Sequence, residues 1–105
     1  MDVPEIDVAE LARLREGGVV LVDVRAPDEF ESFHVPGAQL IPLADVPERI
    51  DEIPSDERVY VICLSGARSA KAVQYLNQQG YDTVNVAGGS KAWREAGHPV
   101  EHGSA

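Results

Sequence analysis

Two uninterrupted apolar runs constrain this chain more than any other feature: Val19-Val20-Leu21-Val22 and Val59-Tyr60-Val61-Ile62. A strand with one wet face alternates apolar and polar residues. A continuously apolar run of this length is expected where both faces of a sheet are covered. Residues 83 to 86 read as a further strand, and Gln39-Leu40-Ile41 as a short one. Helical patterns separate these runs. Alternation of this kind points to an α/β domain with a mainly parallel sheet of about five short strands.

The helices announce their ends. Asp7 with Glu10 reads as a capping box, preceded by Ile6, and Val8, Leu11, Ala12 and Leu14 follow before Gly17-Gly18 stop the helix. Pro27 suits the first position of a short helix with Asp28 and Glu29 in its first turn, although Ala26 is a poor cap. Asp45 is expected to cap another short helix through Val46, Ile50 and Ile53. After Cys63, Ala70, Val73 and Leu76 recur at helical spacing and Gly80 fits beyond the C-terminal end. A last helix contains Ala92 and Trp93.

A chain of 105 residues is expected to form one domain, residues 1 to 105. The net charge of −9 argues against nucleic acid and anionic membranes as partners. The charge is uneven: residues 1–60 carry −10 and residues 61–105 carry +1. The half with Cys63 is therefore the less hostile to an anion. One cysteine cannot close an internal disulfide. The acidic start, Met1-Asp2-Val3-Pro4-Glu5, does not resemble a signal peptide, and no apolar run approaches the roughly 20 residues that span a bilayer. A cytoplasmic location is expected, with no membrane partner.

Cys63 lies where a strand ends and a Gly- and Ser-containing turn leads into a helix: Ile62-Cys63-Leu64-Ser65-Gly66-Ala67-Arg68-Ser69. A thiol there meets backbone N–H groups and the positive end of the helix, which favour the nucleophilic thiolate. The competing reading is a small buried hydrophobe. The turn favours the reactive reading.

This order of strand, cysteine loop and helix resembles the active-site loop of rhodanese-type sulfurtransferases. Two further stretches are similar to that family's signatures. The first is Val22-Asp23-Val24-Arg25 with Glu29-Phe30, His34-Val35-Pro36-Gly37-Ala38 and Ile41-Pro42. The second is Val84-Asn85-Val86-Ala87-Gly88-Gly89 with Trp93 and Gly97-His98-Pro99-Val100. The resemblance implies a three-layer α/β/α fold with a five-stranded parallel sheet. It also implies transfer of sulfane sulfur, from a donor such as thiosulfate to cyanide or a thiol, through a persulfide on Cys63. Backbone N–H groups of Leu64, Ser65, Gly66, Ala67, Arg68 and Ser69 would form the cradle for that sulfur. Ser65 and Ser69 read alternatively as helix caps, and Arg68 either as the loop's anion-binding charge or as a brace paired with a carboxylate. Partners would be a small-molecule sulfur donor and a thiol acceptor, with a protein persulfide as another donor, and the chain is expected to be a monomer. No cofactor and no metal are expected, since His98 and His102 lie in a polar tail without metal-ligand spacing.

Asp23 and Arg25 match the family's Asp-x-Arg and read as structural, with Arg25 pairing Glu29. His34 reads as a buried turn histidine, Trp93 as packing, with lining the mouth of the loop as the alternative, and Gly88-Gly89 as room for close backbone approach. Phe33 departs from the Gly found there in many relatives, and Leu64 and Ser65 stand where some thiosulfate-using relatives carry cations. Two alternatives are a sulfur-carrying sensor or partner-binding module without turnover, and a phosphatase or arsenate reductase. Four residues separate Cys63 from Arg68, whereas related phosphatases have five, and those phosphatases carry His where Ile62 stands. A missing second cysteine disfavours a dithiol reductase.

Overall fold

A computed structural model describes residues 3–103. Met1 and Asp2, part of the acidic start discussed above, and the last two positions of the expected 1–105 domain lie outside the described residues. Five strands form one sheet: β1 (Glu5–Ile6), β2 (Val20–Asp23), β3 (Gln39–Leu40), β4 (Val59–Ile62) and β5 (Thr83–Val86). Their order is β1-β5-β4-β2-β3, and every pairing is parallel. Three helices connect strands, α1 (Val8–Arg15), α2 (Pro27–Ser32) and α3 (Ala67–Gln78), and a fourth, α4 (Gly89–Glu95), follows β5.

The apolar runs are continuous because successive residues face different cores. Val59 and Val61 join Val22, Ala72, Val73 and Leu76 on the α3 side. Tyr60 and Ile62 join Leu11, Leu21, Val86 and Trp93 on the α1 and α4 side. The same alternation carries one residue past the strand and puts Cys63 on the α3 side. Each core is built from fully covered aliphatic side chains, each contributing about 1.5–3 kcal/mol by its burial.

Local chemistry explains the helix ends. Asp7 Oδ1 accepts from Glu10 N–H at 2.9 Å, but Glu10 gives its carboxylate to Arg13, so only half of the expected capping box forms. At Ala26, which has no side-chain acceptor, Glu29 Oε1 reaches back to the Ala26 N–H at 3.1 Å. The C-terminal end of α3 closes as a Schellman motif: Tyr81 N–H donates to Leu76 O at 3.1 Å and Gly80 N–H to Asn77 O at 3.2 Å.

One expectation needs correction. Residues 43–53 form two single 3₁₀ turns, Leu43–Asp45 and Ile50–Glu52, and Asp45 ends the first of them instead of capping a helix. Pro47 in the intervening turn has no N–H to donate to a continued helix. The buried face of α3 is Ser69, Ala72, Val73 and Leu76, while Ala70 is half-buried. Strand β1 goes unannounced, being too short to show a period. It protects the β5 edge through Asn85 N–H to Pro4 O and Ala87 N–H to Ile6 O, both 2.8 Å.

The chain leaves β2 toward β3 on one side and leaves β4 toward β5 on the other. The strand order therefore reverses between β2 and β4, and a crevice opens beyond their carboxyl ends. No helix among the described residues is long and apolar enough to cross a membrane.

Candidate active site

The crevice places the ends of β2 and β4 side by side, with Asp23 in register with Ile62. Cys63 follows directly and is 1% exposed. Its Sγ accepts from Gly66 N–H at 3.1 Å, Ser69 N–H at 3.3 Å and the Ser69 hydroxyl at 3.3 Å. Gly66 precedes α3 with φ 103°, a left-handed turn that glycine adopts freely. That turn brings its own N–H and the Ser69 N–H, in the first turn of α3, onto the sulfur. Gly66 offers the helix no side-chain cap, so the sulfur of Cys63 takes the capping position.

Burial pushes the Cys63 thiol up, but hydrogen bonds from Ser69 (hydroxyl and N–H), Gly66 and Ser65 outweigh it. The net result is a thiol below its ordinary value. Each of these donors is more favourable to S⁻ than to SH. The Ser69 side chain is wholly buried against the sulfur and Ser65 is exposed, so neither serves α3 as a side-chain cap.

Of the two readings of Arg68, the brace is the one this geometry supports. Arg68 Nη1 and Nη2 grip Glu29 Oε1 and Oε2 at 2.7 and 2.9 Å. This pair ties α3 to α2 across the crevice. It holds the Glu29 carboxyl well below its usual range, at about 2, through the Arg68 hydrogen bonds against an opposing burial effect. The expected Arg25–Glu29 pair does not form. Arg25 is instead closed on Asp23, with Nη2 to Oδ2 at 2.9 Å and Nε to Oδ1 at 3.1 Å, and it donates to Phe33 O at 2.7 Å. Both partners are buried, and together they fasten the end of β2 to the end of α2.

On the far side, Gly89 begins α4 with φ 63°. A Cβ there would stand 2.4 Å from Cys63 O and from Leu64 O. The absence of a side chain lets Ser90 N–H donate to Cys63 O at 2.8 Å and Lys91 N–H to Leu64 O at 3.0 Å. The close approach expected of Gly88-Gly89 is thus made by Gly89. Asn85, a polar residue in a buried strand, donates from Nδ2 to Gly66 O at 3.2 Å and to Glu5 Oε2 at 3.0 Å. An amide between Val84 and Val86 was the sequence signal for this role.

His34 is buried and stacked on Phe30 at 3.7 Å, with Nδ1 2.8 Å from Phe30 O. It is a structural turn residue. Trp93 lies wholly buried in the α1–α4 core, with Nε1 donating to Pro99 O at 2.7 Å, and does not line the mouth. An open cleft of about 400 Å³ adjoins the loop at Leu64, bounded also by Arg25, Phe33, Arg94 and the α2 residues Asp28, Glu29 and Ser32. Arg94 gave no signal in the sequence, because nothing in its neighbours shows that α4 turns it toward α2. Among the described residues, no group of three or more His, Cys, Asp and Glu is placed to hold a metal ion.

Residues 7–96 match the family model described as a rhodanese-like domain. A protein of Allochromatium vinosum named "Sulfurtransferase" is 45% identical over 101 residues, covering 93% of this chain and 94% of that protein. The crystal structure of a rhodanese-related protein from Thermoplasma volcanium superimposes with a TM-score of 0.87 at 34% identity, covering 93% of this chain and 97% of that one. A rhodanese-like domain protein from Staphylococcus aureus gives 0.86 at 38% identity, covering 96% and 99%. The match runs from the cap of α1 to the end of α4 and takes in the whole cysteine loop, so the chain belongs to the rhodanese-like domain family.

Proposed function

We propose that this chain is a sulfurtransferase that carries sulfane sulfur as a persulfide on Cys63. The observation that carries the reading is the convergence of three hydrogen-bond donors, from Gly66 and Ser69, on one cysteine sulfur. The Allochromatium vinosum relative named "Sulfurtransferase" supports it.

In the first half-reaction the Cys63 thiolate attacks the outer sulfur of a donor such as thiosulfate. The donor's S–S bond breaks, sulfite leaves with the bonding pair, and Cys63–S–S⁻ remains. In the second, cyanide or a thiolate attacks the outer sulfur, and the Cys63 thiolate is released. Backbone N–H groups of Leu64, Ser65, Ala67 and Arg68 complete the cradle for the outer sulfur. Fixed donors of this kind stabilise developing charge without reorganising. The donor is a small molecule or a persulfide on another protein, and the acceptor is a thiol. The chain acts as a single-domain monomer in the cytoplasm.

Phosphoryl transfer is disfavoured on two counts. The four-residue interval between Cys63 and Arg68 makes a small ring. Glu29 occupies the one guanidinium of the loop that a phosphate would need.

Two successive displacements predict ping-pong kinetics. Thiosulfate and cyanide varied together should give parallel double-reciprocal lines for the wild-type chain. Cys63→Ser should remain folded and produce no thiocyanate above the uncatalysed rate. Retained activity in that variant would remove Cys63 from the role of nucleophile, and no turnover by the folded wild type with any acceptor would favour the carrier or sensor reading.

A further inference from the structure

The charges around the cleft cancel unevenly. Arg25 is closed on Asp23 and Glu29 on Arg68, which neutralises both pairs. Two charges remain in the cleft lining, Arg94 on α4 and Asp28 in the first turn of α2. Both are exposed, and neither makes an ion pair with another described residue.

Arg94 is nonetheless held in place. Its guanidinium lies 4.0 Å from the centre of the Phe33 ring, which also carries Arg25 at 5.2 Å. A guanidinium stacked by its face keeps its N–H fork free for a carboxylate. Leu64, the residue after Cys63, closes the cleft on the loop side. A volume of about 400 Å³ falls in the range of pockets that hold organic molecules and far exceeds what thiosulfate fills.

We propose that this cleft binds the amino-acid end of a small thiol, its carboxylate on Arg94 and its ammonium on Asp28, with its sulfur directed past Leu64 to the cysteine loop. The inference rests on the sulfur-transfer reading and specifies its donor as an amino-acid-type persulfide, R–S–SH. The Cys63 thiolate attacks the outer sulfur, the S–S bond of the donor breaks, and R–S⁻ leaves with the pair. The proton on the outer sulfur travels with it, giving Cys63–S–SH. No oxidant is consumed.

The probe is S-methylglutathione, a thioether that carries an amino-acid end and cannot react. Its binding to the full chain is followed by calorimetry or amide NMR shifts. Arg94→Gln should weaken binding about tenfold, the scale of one lost charge-assisted contact, and Asp28→Asn should weaken it to a smaller degree. Lys71→Gln, which removes an exposed cation outside the cleft, should leave it unchanged. Absence of binding to the wild type, or equal affinity in wild type and Arg94→Gln, would overturn the site, as would an equal loss in Lys71→Gln. Intact mass after exposure to glutathione persulfide reads the sulfur-transfer reading separately. Arg94-dependent binding without any sulfur gain would sink that reading and leave the cleft as an amino-acid site. Normal sulfur gain with Arg94-independent binding would sink the cleft proposal alone.

Discussion

Cys63, the proposed nucleophile, is also a helix cap. The N–H of Ser69 would be an orphan donor at the start of α3 if the sulfur did not accept it. That double role lowers the thiol, and alkylation by iodoacetamide across a pH series should show a midpoint below the free-cysteine value of about 8.5. A midpoint at or above that value would mean the loop does not favour the thiolate. The Arg68–Glu29 pair makes a different prediction. Glu29 falls from 4.5 to about 2, so the pair's stabilisation is present above the unfolded value and lost as pH falls through that interval. Arg68→Ala should lower the melting temperature by roughly 5 °C at pH 7, with the difference from wild type vanishing toward pH 2. An unchanged melting temperature joined to a large loss of turnover would make Arg68 an anion binder instead. Spacing and residue type made the cysteine loop legible from the sequence. The partner of Arg68 was not, because Glu29 lies 39 positions away and Arg25 was the nearer candidate.

Elements meet at the loop through backbone more than through side chains. β4 delivers Cys63, α3 supplies the donors, and α4 docks against the Cys63 and Leu64 carbonyls. Gly89→Ala would drive a Cβ into those carbonyls and hold a left-handed φ as well. It should cost on the order of 3 kcal/mol in urea unfolding and remove most sulfur transfer, because a shift of about 1 Å at a reacting centre costs roughly 100-fold. A stability and rate within twofold of wild type would show that α4 does not set the loop. Strands β2 and β4 were readable because burial on both faces makes their runs almost wholly apolar, Asp23 ending the first, and β5 was readable from its β-branched residues despite Thr83 and Asn85. β1 was not, since two residues carry no period and its pairing with β5 joins chain positions about 80 apart. The 3₁₀ turns at 43–53 were mistaken for a helix because apolar spacing there reflects packing onto the α3-side core, not a continuous hydrogen-bond ladder.

The whole molecule brings three parts of the chain to the reversal of strand order: the cysteine loop, the Asp23–Arg25 corner and the start of α4. A mainly parallel sheet followed from the alternation of apolar runs and helical patterns, and the three-layer arrangement from the family resemblance, while the strand order β1-β5-β4-β2-β3 came only with the structure. Trp93 was readable as packing and lies in the core, but nothing indicated that Arg94 would face the cleft, since that depends on how α4 is rotated on the sheet. The uneven charge fits this arrangement: the acidic excess lies in the half without Cys63, and the two carboxylates nearest the loop, Asp23 and Glu29, are neutralised by arginines. The most direct test of a persulfide on Cys63 is intact mass. The wild-type chain, incubated with thiosulfate or an organic persulfide and desalted, should gain one sulfur atom and lose it again on addition of cyanide. Cys63→Ser should gain none. No gain in the wild type with either donor, or an equal gain in Cys63→Ser, would contradict the account.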